Sequence, residues 1–280
     1  MNYLLYNPNS GAQGASKQSA ETFCALSSEP AQILDATSIY YYNDFLEALE
    51  PEDAVYIFGG DGTLNRFVNG IKKDVKHSVY YYPCGSGNDF ARDIRKADEK
   101  MPFEITHYIN KLPTVTVKGE TRRFINGIGF GIDGYCCAEG DRCKAEGKAV
   151  NYTAIAIKGL LGNFKSRCAT VTVDGKRFEF KRVWLAPTMF GSHYGGGMIP
   201  TPNQRRGSKE KKVSLMVFHD CGRLKTLMIF PSIFKGKHVD HKRNVSIFSG
   251  KEITVKFNMP TPLQIDGETV NDVSEYTVRI

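Results

Sequence analysis

Through its first 110 residues the chain alternates short apolar runs with longer amphipathic stretches. Tyr3–Tyr6, Gln32–Leu34, Val55–Phe58 and Val79–Tyr82 are the apolar runs, each four residues or so and rich in β-branched or aromatic side chains. Between and after them, helical spacing covers 15–27, 42–49, 64–71, 88–95 and 101–111. Strands and helices of this length in alternation predict a parallel sheet with helices on both faces, and such sheets bind ligands at the carboxyl ends of their strands. Three polar, glycine-rich turns fall at those ends: Asn7–Gly14, Gly59–Asn65 and Pro83–Asp89.

After Pro113 the pattern changes. Val115–Lys118, Ala169–Val173, Arg177–Phe180, Val183–Pro187, Val213–Phe218, Val245–Phe248, Ile253–Phe257 and Leu263–Ile265 are short and β-rich, separated by turn pairs such as Asp174-Gly175 and Ser249-Gly250. That spacing predicts antiparallel hairpins in a sandwich or barrel, with helices at Val150–Gly162 and Arg223–Phe230. The expected organisation is an α/β domain over 1–115 and a β-rich domain over 116–280.

Charge follows the same division. Residues 1–115 hold 10 Lys+Arg against 15 Asp+Glu, a balance of −5, and residues 116–280 hold 27 against 15, a balance of +12. Two modules with different partners fit this asymmetry, the basic one suiting an anionic surface. Nucleic acid is not expected, because the basic residues carry no helix-turn-helix or aromatic-stacking motif. Seven cysteines, odd in number and without a C-x-x-C pair, argue against a disulfide framework or a zinc site. No apolar run reaches the roughly 20 residues of a membrane span, and a start directly in a strand-like segment suggests a cytoplasmic protein without a signal peptide.

The turn Gly59-Gly60-Asp61-Gly62-Thr63-Leu64-Asn65 is the most specific feature. Its glycines permit positive φ and close approach of backbone to a ligand. The helix that follows aims N–H groups and its positive dipole end at the same place, which suits a polyphosphate. An acid there makes sense if Mg²⁺ arrives with the anion. In Pro83-Cys84-Gly85-Ser86-Gly87-Asn88-Asp89-Phe90-Ala91-Arg92, glycines again clear space, Asn88 can cap the next helix, and Asp89 supplies a second carboxylate.

These two motifs in this order, with Asn7-Pro8-Asn9-Ser10-Gly11 before them and Asp266-Gly267-Glu268 after, resemble the diacylglycerol kinase catalytic-domain family, which includes bacterial soluble lipid kinases and is related to sphingosine kinases. The resemblance implies a Rossmann-like N-terminal nucleotide domain and a C-terminal antiparallel β-sandwich. It also implies ATP- and Mg²⁺-dependent phosphorylation of a lipid hydroxyl in the cleft between them. ATP contacts would come from Asn7, Pro8, Asn9, Ser10 and Gly11, from Gly59, Gly60, Gly62, Thr63, Leu64 and Asn65, and from Gly85, Ser86, Asn88 and Asp89. Thr37 would lie near the nucleoside. Asp61 would organise Mg²⁺ and phosphate, with Glu268 a further metal ligand. Asp266 or Glu268 would be the general base, the two standing undivided. Asp133, in Asn126-Gly127-Ile128-Gly129-Phe130-Gly131-Ile132-Asp133-Gly134, would meet the lipid headgroup. The expected partner is a lipid at an anionic membrane surface, reached peripherally, and a homodimer is among the expected states.

One stretch departs from the family pattern. After Gly195-Gly196-Gly197-Met198 and a proline, related kinases carry an acid that helps to hold a structural Mg²⁺, whereas this chain reads Asn203-Gln204-Arg205-Arg206. Arginine cannot ligate a cation. Two other readings compete with a lipid kinase: an NAD kinase, disfavoured because its Asn-Asn-Glu is missing, and a non-catalytic lipid- or nucleotide-binding regulator.

Overall fold

The computed structural model describes all residues except 12, 13, 95, 97 and 99. The expected turn at Asn7–Gly14 and the expected helix near 88–95 therefore lie partly outside the described residues. The chain divides into two units, Met1–Leu112 and Pro113–Ile280.

In the first unit the elements run β1 (Asn2–Tyr6), α1 (Ala15–Leu26), β2 (Ala31–Asp35), α2 (Tyr42–Glu47), β3 (Ala54–Gly59), α3 (Asp61–Gly70), β4 (Ser78–Pro83), α4 (Asp89–Asp93), β5 (Phe103–Glu104) and α5 (Thr106–Ile109). The sheet order is β2-β1-β3-β4-β5, parallel through β4. Only β5 is antiparallel. The helix expected over 101–111 is therefore reduced to one turn behind a short strand. Pro102 disfavours helical backbone at Met101, and the Thr106 hydroxyl accepts from the Val79 N–H at 2.9 Å, fixing the segment to the sheet edge. Leu4, Ala20 and Phe58 form a sealed cluster with Phe23 and Tyr56 packed on it. Each large side chain so buried contributes about 1.5–3 kcal/mol. Because β1 lies between β2 and β3, the winding reverses between β1 and β3, where open sheets of this kind leave a crevice.

The second unit contains β6 (Thr114–Val117), β7 (Glu120–Arg123), β8 (Gly127–Gly131), α6 (Ile132–Ala145), α7 (Tyr152–Lys158), β9 (Arg167–Val173), β10 (Lys176–Val183), β11 (Leu185–Met189), β12 (Val213–Phe218), α8 (Arg223–Ile229), β13 (Val245–Gly250), β14 (Glu252–Ile265) and β15 (Glu268–Arg279). Its strands pair antiparallel in the order β13-β12-β11-β8-β14-β15-β6-β7, with β9 on β14 and β10 on β9. The strands expected at Ile253–Phe257 and Leu263–Ile265 are one long β14. Its first half pairs with β9 and its last residues with β8, and the register shifts between Lys256 and Leu263. That irregularity brings Phe257 against Phe130, ring centroids 4.7 Å apart, while Tyr276 closes on Phe130 at 5.2 Å.

Candidate active site

The turns after β1, β3 and β4 emerge side by side, because these strands are consecutive in the sheet. They touch backbone to backbone. A Cβ on Gly85 would sit 2.7 Å from the Gly60 Cα, and one on Gly11 would collide with the Cys84 carbonyl oxygen. Only glycine allows this packing, and at Gly11 the φ of +73° demands it as well. Side chains then lock the turns together. Asn7 donates to the Thr63 hydroxyl at 2.8 Å, and Ser16 donates to the Asn7 carbonyl at 2.5 Å. Asn9 N–H is bound by the Asn7 side chain at 2.9 Å, leaving Pro8 and Asn9 exposed at the rim.

Asp61 is the link between the second and third turns. Its Oδ2 accepts from the Asp89 N–H at 2.9 Å and its Oδ1 from the Phe90 N–H at 3.0 Å, so it caps α4 from 28 residues away in sequence. Asn88 was expected to do this. It is left-handed, at φ 51°, and its side chain turns back to bond Gly85 N–H at 2.9 Å and Gly85 O at 2.8 Å. A Cβ on Gly87 would lie 3.6 Å from Asp61 Oδ2 and 3.7 Å from Asp89 Oδ2. The missing side chain thus leaves a small cradle that two carboxylates border, beside the N-terminus of α3. Ser10 is buried next to Gly60 and Ser86 is exposed.

Other expected ligand contacts are placed elsewhere. The Leu64 side chain is sealed in the core and its N–H bonds Gly60 O at 3.2 Å, and Asn65 is buried inside α3. The Thr37 hydroxyl donates to Asp35 at 2.7 Å, and its carbonyl accepts from Arg66 at 3.1 Å.

In the second unit, Asp266 and Glu268 flank the tip of the β14–β15 hairpin. Asp266 has φ 48°. Its Oδ2 accepts from Ile125 N–H at 2.6 Å, and its Oδ1 from Asn126 and Gly127 N–H at 2.8 and 3.0 Å. From the other side the same segment is held by Arg206. This guanidinium is 7% exposed, donates to Ile125 O and to Asn126 Oδ1, the latter at 3.0 Å, and stands 5.1 Å over the Phe190 ring. Arg206 thus fills with a fixed positive group the neighbourhood where the family pattern expects an acid and a structural Mg²⁺. These residues do not fit a metal there. Glu268, by contrast, is exposed, with Oε2 2.6 Å from Arg122 Nη1.

Asp133 is the second residue of α6, a helix that the glycine-rich bend did not announce. Its Oδ2 and the Tyr194 hydroxyl are both sealed from water and lack hydrogen-bond geometry to any partner. Burial pushes the Asp133 carboxyl up to about 8, against the opposite pull of Gln264 and Tyr194. Tyr194 was not anticipated. Its one sequence signal is the Gly195–Gly197 run behind it, all at positive φ, which folds Tyr194 and Met198 into a bridge.

Two family models cover nearly the whole chain: "Diacylglycerol kinase catalytic domain" over residues 2–123 and "YegS C-terminal NAD kinase beta sandwich-like domain" over 126–278. The chain belongs to the diacylglycerol kinase catalytic-domain family. Among curated proteins it is similar to "Putative lipid kinase YtlR" of Bacillus subtilis, 26% identical over 227 residues, 76% of this chain and 72% of the relative. It is also similar to "Putative lipid kinase SH2167" of Staphylococcus haemolyticus, 27% identical over 229 residues, 77% and 70% of the two chains. Among solved structures, one described as a diacylglycerol kinase from Bacillus anthracis strain Sterne superposes with a TM-score of 0.64. It is 18% identical, with 99% of this chain and 92% of that chain covered, and so shares the fold. Kinase membership implies ATP as phosphoryl donor. Among the described residues no helix is long and apolar enough to cross a membrane.

Proposed function

We propose that this chain is an ATP-dependent lipid kinase that transfers the γ-phosphate to a hydroxyl of diacylglycerol or a related lipid. The observation that carries the reading is the junction of three glycine-rich turns at the carboxyl ends of β1, β3 and β4, cross-linked by Asp61. Backbone N–H groups and the N-terminus of α3 bind the phosphates there, and Ser10, Thr63 and Ser86 add hydroxyls. Asp61 and Asp89, bordering the cradle at Gly87, would hold Mg²⁺ together with phosphate oxygens. When bound, the ion spreads the negative charge of the transferring phosphoryl group. We assign Glu268 no part in this metal set and read it as the base, exposed and paired with Arg122.

We read the two acids that the motif leaves equivalent as having different parts. Asp266 spends both oxygens on backbone N–H groups, so it frames the segment at Ile125–Gly127. Glu268 is the accessible carboxylate and takes the proton of the acceptor hydroxyl as its oxygen bonds to the γ-phosphorus and the bond to ADP breaks. Asp133, Tyr194 and Gln264 meet the polar end of the lipid. The Asp133 carboxyl and the Tyr194 hydroxyl lie close enough to act on each other, and neither has another partner of good geometry, which suits a substrate hydroxyl between them.

The test is transfer of labelled phosphate from ATP to a panel of lipids in mixed micelles, with NAD as control. A labelled lipid is expected. Labelling of NAD instead, or of nothing while ATP binds, overturns the reading.

A further inference from the structure

The second unit carries apolar side chains on the wrong side of two helical segments. In α7 and the π-turn after it (Gly159–Asn163), Leu160 and Phe164 are buried in a core cluster with Trp184, Ile229 and Ile233. Ile157 and Leu161 nevertheless face solvent, 48% and 61% exposed. The run from α8 into the 3-10 turn Phe230–Lys235 behaves alike: Ile229 and Ile233 point inward, while Leu224 and Met228, one helical turn apart, are 79% and 80% exposed and Phe234 is 46% exposed. Arg223 joins the two segments by donating to Leu160 O at 3.0 Å and Gly162 O at 3.3 Å. A helix apolar on both faces is not finished by the core beneath it.

Within the two segments the charged residues are all of one sign, and the acids that flank the second are Asp220, paired with His219, and the exposed Asp240. Residues 151–165 and 221–239 contain no Asp or Glu but carry Lys158, Lys165, Arg223, Lys225, Lys235 and Lys237. The acids at the end of adjoining α6 and just after it are paired: Glu139 with Arg142, Asp141 with Lys144, Glu146 with Lys148. Like charge disfavours pairing of this face with a second copy of itself. Leu224 and Met228 protrude almost fully, which suits insertion into a fluid layer rather than a complementary pocket. We infer that the exposed face of Ile157–Leu161 and Leu224–Phe234 docks on an anionic lipid bilayer, apolar side chains entering the interface and lysines meeting the headgroups. The surface gives the lipid-kinase reading a route to its substrate, yet its test needs no ATP and no turnover.

The experiment is co-sedimentation of the full chain with vesicles of phosphatidylcholine containing about one third phosphatidylserine, against vesicles of phosphatidylcholine alone. Binding is expected to the anionic vesicles, to weaken with salt, and to fall roughly tenfold or more in a Leu224→Gln/Met228→Gln variant. Both positions are so exposed that thermal melting should not change, and a Lys225→Glu/Lys235→Glu variant should give a similar loss. Binding that ignores lipid charge, or survives both variants, overturns the inference. So does an apolar variant that turns a dimer into a monomer, or releases an acidic protein, with vesicle binding intact. A protein that phosphorylates no lipid yet binds vesicles in this pattern would sink the kinase reading and leave the docking surface standing.

Discussion

Two carboxylates in this chain are each gripped by backbone N–H groups, and they are gripped for different ends. Asp61 starts α3 and reaches the first two N–H groups of α4, so its two bonds tie one ligand-type turn to another. Asp266 sits at a hairpin tip and takes three N–H groups from one continuous segment, which Arg206 clamps from its carbonyl side. The first belongs to a junction whose glycines leave a cradle for a ligand. The second belongs to a closed frame of donors and acceptors. A short motif match puts an acid in both places and cannot tell these jobs apart; the partner groups can.

That contrast breaks first at Asp61. Asp61→Asn loses the charge, and kcat should drop about a thousandfold, some 4 kcal/mol of transition-state stabilisation, while its amide NH₂ must face one of the two N–H donors of α4, costing about 1–3 kcal/mol of folding stability as well. Steady-state kinetics beside thermal denaturation would read both. Glu268→Gln should lower kcat by about 10²–10⁴ with KM for ATP little changed, as expected for loss of a general base. Its stability should stay within about 1 kcal/mol, because the Arg122 pair is solvent-exposed.

Asp266→Asn should show its effect in stability rather than in the chemical step. An amide NH₂ must face at least one backbone donor, costing about 2–4 kcal/mol of folding stability in denaturant titration. Arg206→Met should cost a comparable amount by stranding Ile125 O and Asn126 Oδ1. Chelator should not shift the melting of the ligand-free protein.

A smaller effect concerns pH. Because burial raises the folded Asp133 carboxyl to about 8, the native state keeps a proton that the unfolded chain releases near pH 4. Stability should therefore fall as pH rises from about 4 to 8, with a slope from this group of up to about 1.4 kcal/mol per pH unit. Asp133→Asn should flatten that part of the profile, and an unchanged slope would mean the carboxyl is not held neutral.

The parallel sheet and the three turns were legible because glycine, proline and aliphatic spacing act locally. What was hidden depends on contacts far along the chain. Asp61 caps Asp89 and Phe90, a pairing that no local pattern encodes, so Asn88, adjacent in sequence, looked like the cap. Strand β8 was unread because three of its five residues are glycine, poor strand formers on their own. They are needed there: Gly131 has φ +106°, and a Cβ on it would press on Trp184 and Leu185 backbone. Helix α6 was unread because Gly134 and Gly140 dilute its helical signal. Gly134 lies hard against the Pro262 backbone, so tertiary packing rather than propensity holds that turn. Strand β14 read as two fragments because the exposed Asn258-Met259-Pro260 looks like a turn, and β15 was unread. The different surroundings of Asp266 and Glu268, on which their proposed roles rest, were invisible for a simpler reason: two residues apart, the acids differ only in what is packed around them.

The most direct test of the central claim is a single-turnover assay with labelled ATP and diacylglycerol in mixed micelles, run on the unaltered chain and on Asp61→Asn with folding and ATP binding measured in parallel. The account predicts labelled phospholipid from the unaltered chain and almost none from a folded Asp61→Asn. Equal labelling by the two proteins, or ATP binding with no lipid labelled by either, would contradict it.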